Sequence, residues 1–452
     1  MPTRTLAWVT FFVLLAALTL RVKQLRPTDG VSMQREQAAY QYVRDIIKDR
    51  YVREVDDSKL FYGAMDGMAS SLDPFSRFLS PDQFESLRTA TTGLLEGVGI
   101  EWDSDADGIV VLTPLQDSPA WFGGVYPGDR ILKINGVAVD GQNLDEVSRR
   151  VRGPAGTKVK LTLQHKDSGA PVDVELERAV FEIPSIPVAE MVGSEWLNGK
   201  PVKLGYVQIA QFQENTTKDL DAALTELEGK GMQALILDLR QNPGGLLESA
   251  EGVADLFLKD GEIVTVLNRE ARKAGSPGNV TYAKEEGTHP EYPIAVLVDG
   301  QSASAAEIVS GALKDRGRAV LVGDRTYGKF SVQDILRVEL ENWGESALKL
   351  TIARYKTPRS PCIDGQGLEP DLPVPFTSEQ LRGMLNARRE RHVHDNDPRN
   401  KDSKDRSRNG GKGPAPARRE LVGGDASAGV PFVDLQMKKA VEWLSERLAS
   451  AK

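Results

Sequence analysis

The chain has 452 residues, 40% of them hydrophobic, with a formal charge of −8 and a pI near 5.4. That length and apolar content support two or three folded domains, and the acidic balance excludes a general affinity for phosphate backbones, so nucleic acid is not expected as a partner. A single cysteine, Cys362, excludes an intramolecular disulfide. The four histidines show no metal-ligand spacing, so no metal is expected, and His392 and His394 read as a solvated pair in a charged tract.

In chain order, residues 6–20, LAWVTFFVLLAALTL, form an uncharged run flanked by Arg4, Arg21 and Lys23. Residues 1–30 are therefore expected to be a signal peptide or membrane anchor, with an exported, periplasmic or extracytoplasmic body held at the membrane. Residues 31–92 carry helical spacing at Ala39, Val43, Ile46 and Ile47. Residues 93–180 change style to short strand-like runs between glycine-rich turns, which predicts a compact β-rich module. From 181 to 376, strands such as ALILDLR and IAVLVD alternate with helical stretches, which predicts an α/β core. Residues 377–428 are expected to be a linker, with 384–425 disordered because charge, Pro and Gly dominate there. Residues 429–452 regain helical spacing at Leu435, Ala440, Val441 and Leu444 and should dock on the core.

The chemistry concentrates in three places. In DGQSASAAEIVSG, Ser304 sits where a strand turns into a helix, a position that favours developing negative charge. The same residues, Ser304 to Glu307, also read as an S-x-x-E capping box. A nucleophilic serine needs a base, and a desolvated lysine can serve; Lys329 follows a tight turn, with Gln333 on the same strand face or one helical turn on. In ALILDLRQNPGG, Gly244 and Gly245 permit a backbone path that exposes N–H groups to an oxyanion.

Within the β-rich module, EGVGIEW and SPAWFGGVYPGDRILKINGVAV resemble a PDZ domain. The resemblance implies that Gly97, Val98, Gly99 and Ile100 form a carboxylate-binding loop, and that a peptide strand adds beside Ile100 and Trp102. Asp117 and Ser118 read as a helix cap. The motifs NPGG, SASAAEIVSGALKDRGRAVLVGDRTYGK, LKLTIARYKTP and IDGQGLEPD resemble, in order and spacing, the C-terminal processing peptidases, or tail-specific proteases, over most of residues 34–376.

That resemblance implies a crotonase/Clp-like α/β serine protease core with an inserted PDZ domain and an N-terminal helical segment. Carried over by position, Ser304 is the nucleophile, Lys329 the general base, Gln333 its orienting partner, and the amides of Gly244 or Gly245 and of Ala305 the oxyanion hole. No cofactor is implied, and the expected partners are proteins or peptides with accessible C-termini, with a homo-oligomer open. Two departures stand out: Phe330 replaces a usual glycine, and Ala306 a common serine. A charged contact at Arg152 is expected to couple tail binding to the active site. The competing readings are a catalytically dead PDZ scaffold and a non-proteolytic enzyme of crotonase-like architecture.

Overall fold

The structure, a computed structural model, describes residues 30–139, 144–166, 169–194, 202–340, 344–359, 365–400, 422–423 and 432–450. The apolar segment at 6–20 and Cys362 lie outside them. The described chain forms two compact units: residues up to Ser80 with Ile335–Leu350, and the remainder.

In the first unit, helix α1 spans Gly30–Arg50 and α2 Asp57–Ser70, capped by Asp56, whose side chain accepts the Ser58 N–H. Strand β1, Arg77–Leu79, pairs antiparallel with residues 347–349, and Arg77 clamps Asp66 on α2 through two 2.7 Å bonds. Phe61, Tyr62 and Phe78 pack against one another at ring distances of 5.5–6.5 Å.

The second unit opens with helix α3, Pro81–Thr92, and strand β2, Leu94–Gly97. The β-rich module then runs β3 (Ile100–Asp105), β4 (Gly108–Pro114), the short helix α4 (Pro119–Phe122), β5 (Arg130–Ile134), α5 (Leu144–Val151), β6 (Lys158–Gln164) and β7 (Val172–Glu177). Its sheet has the antiparallel order β3-β4-β5-β6-β7, so β3 is an edge strand. Alternate residues Val159, Leu161 and Leu163 point into its own core with Ile131, Ile134 and Val147. The chain leaves along β8, Ala179–Glu182, which pairs antiparallel with β2, so a two-stranded ribbon connects module and core.

The core sheet is built from β9 (Val188–Ser194), β10 (Val202–Gln208), β11 (Ala234–Asp238), β12 (Ile294–Val298), β13 (Val320–Gly323) and a last short strand at Leu372–Pro373, in that order. The first pair is antiparallel and the rest are parallel. Strands β11 and β12 are buried at every position, which explains their unbroken apolar sequences. Leu235, Leu237, Val296 and Val298 pack against the helices at 216–229, 247–255 and 305–315, while Ala234, Ile236, Ala295 and Leu297 face the opposite side. There the C-terminal helix, Leu435–Ser450, docks through Met437, Ala440, Val441 and Leu444. Full burial of each large side chain there contributes about 1.5–3 kcal/mol.

The expectation of disorder across 384–425 fails in its first part: a helix spans Ser378–Asp395, started by a Thr377–Gln380 capping box, and the chain stays ordered through residue 400. Its charges find charged partners on other elements, which composition alone does not reveal. Residues 401–421 lie outside the described chain.

Candidate active site

The turn after β12 and the turn after β11 are tied into one scaffold. Asp299 accepts the backbone N–H groups of Gln301, Ser302 and Gln241 on one oxygen at 3.0–3.1 Å, and its other oxygen takes the Gln241 side chain at 2.6 Å. Ser302 is fully buried and donates to the Leu239 carbonyl at 2.8 Å, a structural use of that hydroxyl. Ser304 follows with φ 55° and ψ −114°, a conformation that costs a non-glycine residue about 1–3 kcal/mol and places it at the head of the helix Ala305–Asp315.

Glu307 binds this turn to the next. Its fully buried carboxylate accepts the Ser304 N–H at 2.9 Å, the Gly328 N–H at 2.7 Å, the Lys329 N–H at 2.8 Å and the Thr326 hydroxyl at 2.5 Å. Burial pushes the carboxyl above its usual range, against these four donors, which favour the charged form. The reciprocal arm of the predicted capping box is thus present, while the Ser304 side chain faces the helix amide without a well-directed bond. Tyr355, also buried, places its hydroxyl 2.9 Å from the Ser304 carbonyl oxygen and 2.5 Å from that of Lys329.

Lys329 is half-buried and immediately precedes the strand Ser331–Leu340, which pairs with Gly344–Lys356. Phe330 points away from it into the core, with 2% exposure and its ring 5.3 Å from that of Tyr355. The Gln333 amide donates to Ser331 at 2.9 Å and Thr351 at 3.2 Å. With both N–H positions engaged, its carbonyl oxygen is left as an acceptor.

The NPGG turn lies against Ser304. A Cβ on Gly244 would come within 2.8 Å of the Ala303 carbonyl oxygen and of the Ser304 Cβ, and one on Gly245 within 2.0 Å of the Phe212 carbonyl oxygen, so only glycine fits at either position. The two glycines differ in one respect. The Gly244 N–H donates to Asn242 Oδ1 at 2.8 Å. Among the described residues, the amides of Gly245 and Ala305 bond to no protein acceptor.

In the β-rich module, Gly99 has φ 74° and its added Cβ would meet Ser118 at 2.2 Å. Ser118 caps α4 by accepting the Trp121 N–H, and Ala120 donates to the Val98 carbonyl, which fixes the loop Gly97–Ile100 at the start of the edge strand. Asp117 takes the left-handed position before the cap. Arg152 is exposed at the end of α5; Arg178 is the arginine that holds this corner, through the carbonyls of Val151 and Lys158.

Sequence reasoning missed the reach of Glu307 and Tyr355. The S-x-x-E spacing signalled the helix start, but no local pattern shows that the same carboxylate takes the Lys329 amide from 22 residues away. It also missed the cluster behind the NPGG turn, where Asp238, Arg240, Arg388 and Asp434 meet with Tyr206. Burial alone would raise the Asp238 carboxyl, but the Arg240 and Arg388 charges override it and hold it far below the ordinary range. His392 is likewise not a free solvated residue: its Nε2 lies 3.0 Å from Glu101 Oε2.

This α/β core with its strand-to-helix serine and inserted β-rich module belongs to a class of serine peptidases, and the comparisons agree. The profile of peptidase family S41 matches residues 203–374, that of a PDZ domain residues 110–165, and that of the activating protease CtpB N-terminal domain residues 20–82. A carboxy-terminal-processing protease of Bartonella bacilliformis is 36% identical over 379 residues, covering 81% of this chain and 82% of that one. A carboxyl-terminal-processing protease of Synechocystis sp. is 35% identical, covering 72% of this chain and 74% of its own. Among solved structures, a photosystem II D1 C-terminal processing protease is similar at 31% identity and TM-score 0.43, covering 74% of this chain and 86% of that one. The chain belongs to peptidase family S41, as a PDZ-bearing C-terminal processing serine protease.

Proposed function

We propose that Ser304, Lys329 and Gln333 carry the proteolysis. Neutral Lys329 removes the Ser304 proton, Ser304 Oγ attacks the peptide carbonyl carbon, and the oxyanion is met by the N–H groups of Gly245 and Ala305. The protonated lysine then gives its proton to the leaving amine, and water, activated by the same lysine, releases the acyl group from Ser304. Gln333 positions the lysine amine through its side-chain carbonyl. The observation that carries this reading is the buried Glu307 carboxylate, which holds the backbone amides of Ser304 and Lys329 together at 2.9 and 2.8 Å. A serine-acylating β-lactone tests it. Its adduct should map to Ser304 and form at least about a hundredfold more slowly in Lys329→Ala; an adduct on another residue would refute the assignment.

The substrates are proteins and peptides, and their C-terminal tails are proposed to add as a strand to β3, with the carboxylate in the Gly97–Ile100 loop. Arg152 is proposed to contact the active-site side when a tail is bound; Arg152→Ala should then slow cleavage of a tailed substrate, and an unchanged rate would end that idea. Residues 6–20 are proposed to hold an exported body at the membrane, on the strength of the uncharged run and its basic flanks. No helix among the described residues is long and apolar enough to cross a membrane. Self-association is left as a proposal for sedimentation to test.

A further inference from the structure

The helix Ser378–Asp395, named α9 here after the helices at 216–229 (α6), 247–255 (α7) and 305–315 (α8), has no part in the chemistry above. Its side chains divide into two rows. Arg388 and Arg391, at i and i+3, face the protease core: Arg388 bonds Asp238 at 2.7 Å and the Arg240 carbonyl at 3.0 Å, and Arg391 forms a two-pronged pair with Glu190 on β9 at 2.9 Å. Arg389 and His392, one position on, face the PDZ module: Arg389 lies 3.7 Å from Asp103, and His392 3.0 Å from Glu101, both on β3. Just past the helix, Asn396 accepts the Gln116 N–H at 2.9 Å. One step along a helix turns the side chain by about 100°, so adjacent rows of a single helix address two different bodies.

The contact on β3 is one-sided. Glu101 and Asp103 alternate with Ile100 and Trp102, whose side chains pack on the PDZ core. The helix therefore reaches β3 through the side chains of Glu101 and Asp103. The β2–β8 ribbon is the covalent connection between PDZ module and core, and two strands by themselves hold an orientation weakly.

We propose that α9 is a positioning strut that fixes the PDZ module against the protease core, so that a substrate tail held on β3 delivers its chain to Ser304. The proposal rests on the proteolytic reading above. Tethering a tail raises the effective concentration of the attached chain at the active site only while the two sites keep a fixed geometry. Loosening the strut therefore weakens delivery, with tail binding and chemistry intact.

The test is the full chain carrying Arg389→Ala and His392→Ala together. The affinity for a fluorescent peptide with an apolar C-terminus, measured in a Ser304→Ala background, should stay within twofold of the parent. KM for an unfolded tailed protein should rise about fivefold or more with kcat within twofold, while a short end-blocked peptide is cleaved as before. Backbone amide exchange within α9 should accelerate about tenfold or more. Unchanged KM for the tailed protein overturns the strut, and so does a lowered KM, which would make α9 an obstruction. Equal losses on both substrates overturn it as well, since general damage would explain them. If the parent enzyme cleaves neither substrate, the proteolytic reading fails, and α9 exchange decides alone: acceleration supports the strut and no change refutes it.

Discussion

Glu307 is the residue on which the site's geometry turns, because one carboxylate accepts from both the Ser304 and Lys329 backbones. Glu307→Gln keeps the shape but turns one acceptor into a donor facing N–H groups. Leaving a buried donor unmatched costs about 1–3 kcal/mol, so kcat should fall about tenfold or more in a peptide assay, with a lowered melting temperature. Gly244→Ala should be worse, since the new methyl meets the Ala303 carbonyl and the Ser304 Cβ at 2.8 Å; hydrolysis should fall by at least about a hundredfold. Phe330, the departure from the usual glycine, is a core side chain, and Phe330→Ala should lower stability by about 3–5 kcal/mol in denaturant unfolding. At this scale the sequence carried the identity of the candidate groups, because Ser304, Lys329 and the two glycines stand in recognisable motifs. It could not separate Gly244 from Gly245, since that distinction depends on the Asn242 side chain folding back onto one amide.

Among elements, the buried parallel strands were readable from their unbroken apolar runs, and the C-terminal helix from its spacing. Helix α9 was not, because its stability comes from partners far along the chain: Asp238, Glu190, Asp103 and Glu101. A charged segment reads as solvated until its counter-charges are in view. His392 gives this element a pH dependence. Its hydrogen bond to Glu101 raises its pKa from 6.5, burial opposes that, and the Glu101 and Asp395 charges add to the rise; the Asn396 side-chain nitrogen lies 3.1 Å from its Nδ1. A raised folded-state pKa means that the stabilisation is complete below 6.5 and is lost as pH rises through the higher folded value. The ring is 40% exposed, so screening holds the effect below about 1 kcal/mol. Amide protection of residues 378–395, corrected for intrinsic exchange, should decline across that interval, and His392→Ala should remove the decline.

For the whole molecule, the PDZ module and the protease core have separate hydrophobic interiors, one around Ile134 and Leu161 and one around Leu237 and Val296. They are joined by the β2–β8 ribbon and by α9. On the proposed reading this division lets one module select a tail and the other cut, and it predicts that blocking a substrate's C-terminal carboxylate raises KM more than it lowers kcat. A lysine base also predicts that kcat/KM falls as pH drops through the lysine's value in the free enzyme, since only the neutral amine accepts the serine proton. On the proposed mechanism Ser304 and Lys329 act as one catalytic unit. Cleavage of an unfolded, tailed protein by Ser304→Ala, by Lys329→Ala and by the double variant is the decisive measurement. All three should be slower than the parent by a similar factor of about 10⁴ or more, because residues acting as a unit are not additive. Parent-like cleavage by either single variant would contradict the mechanism.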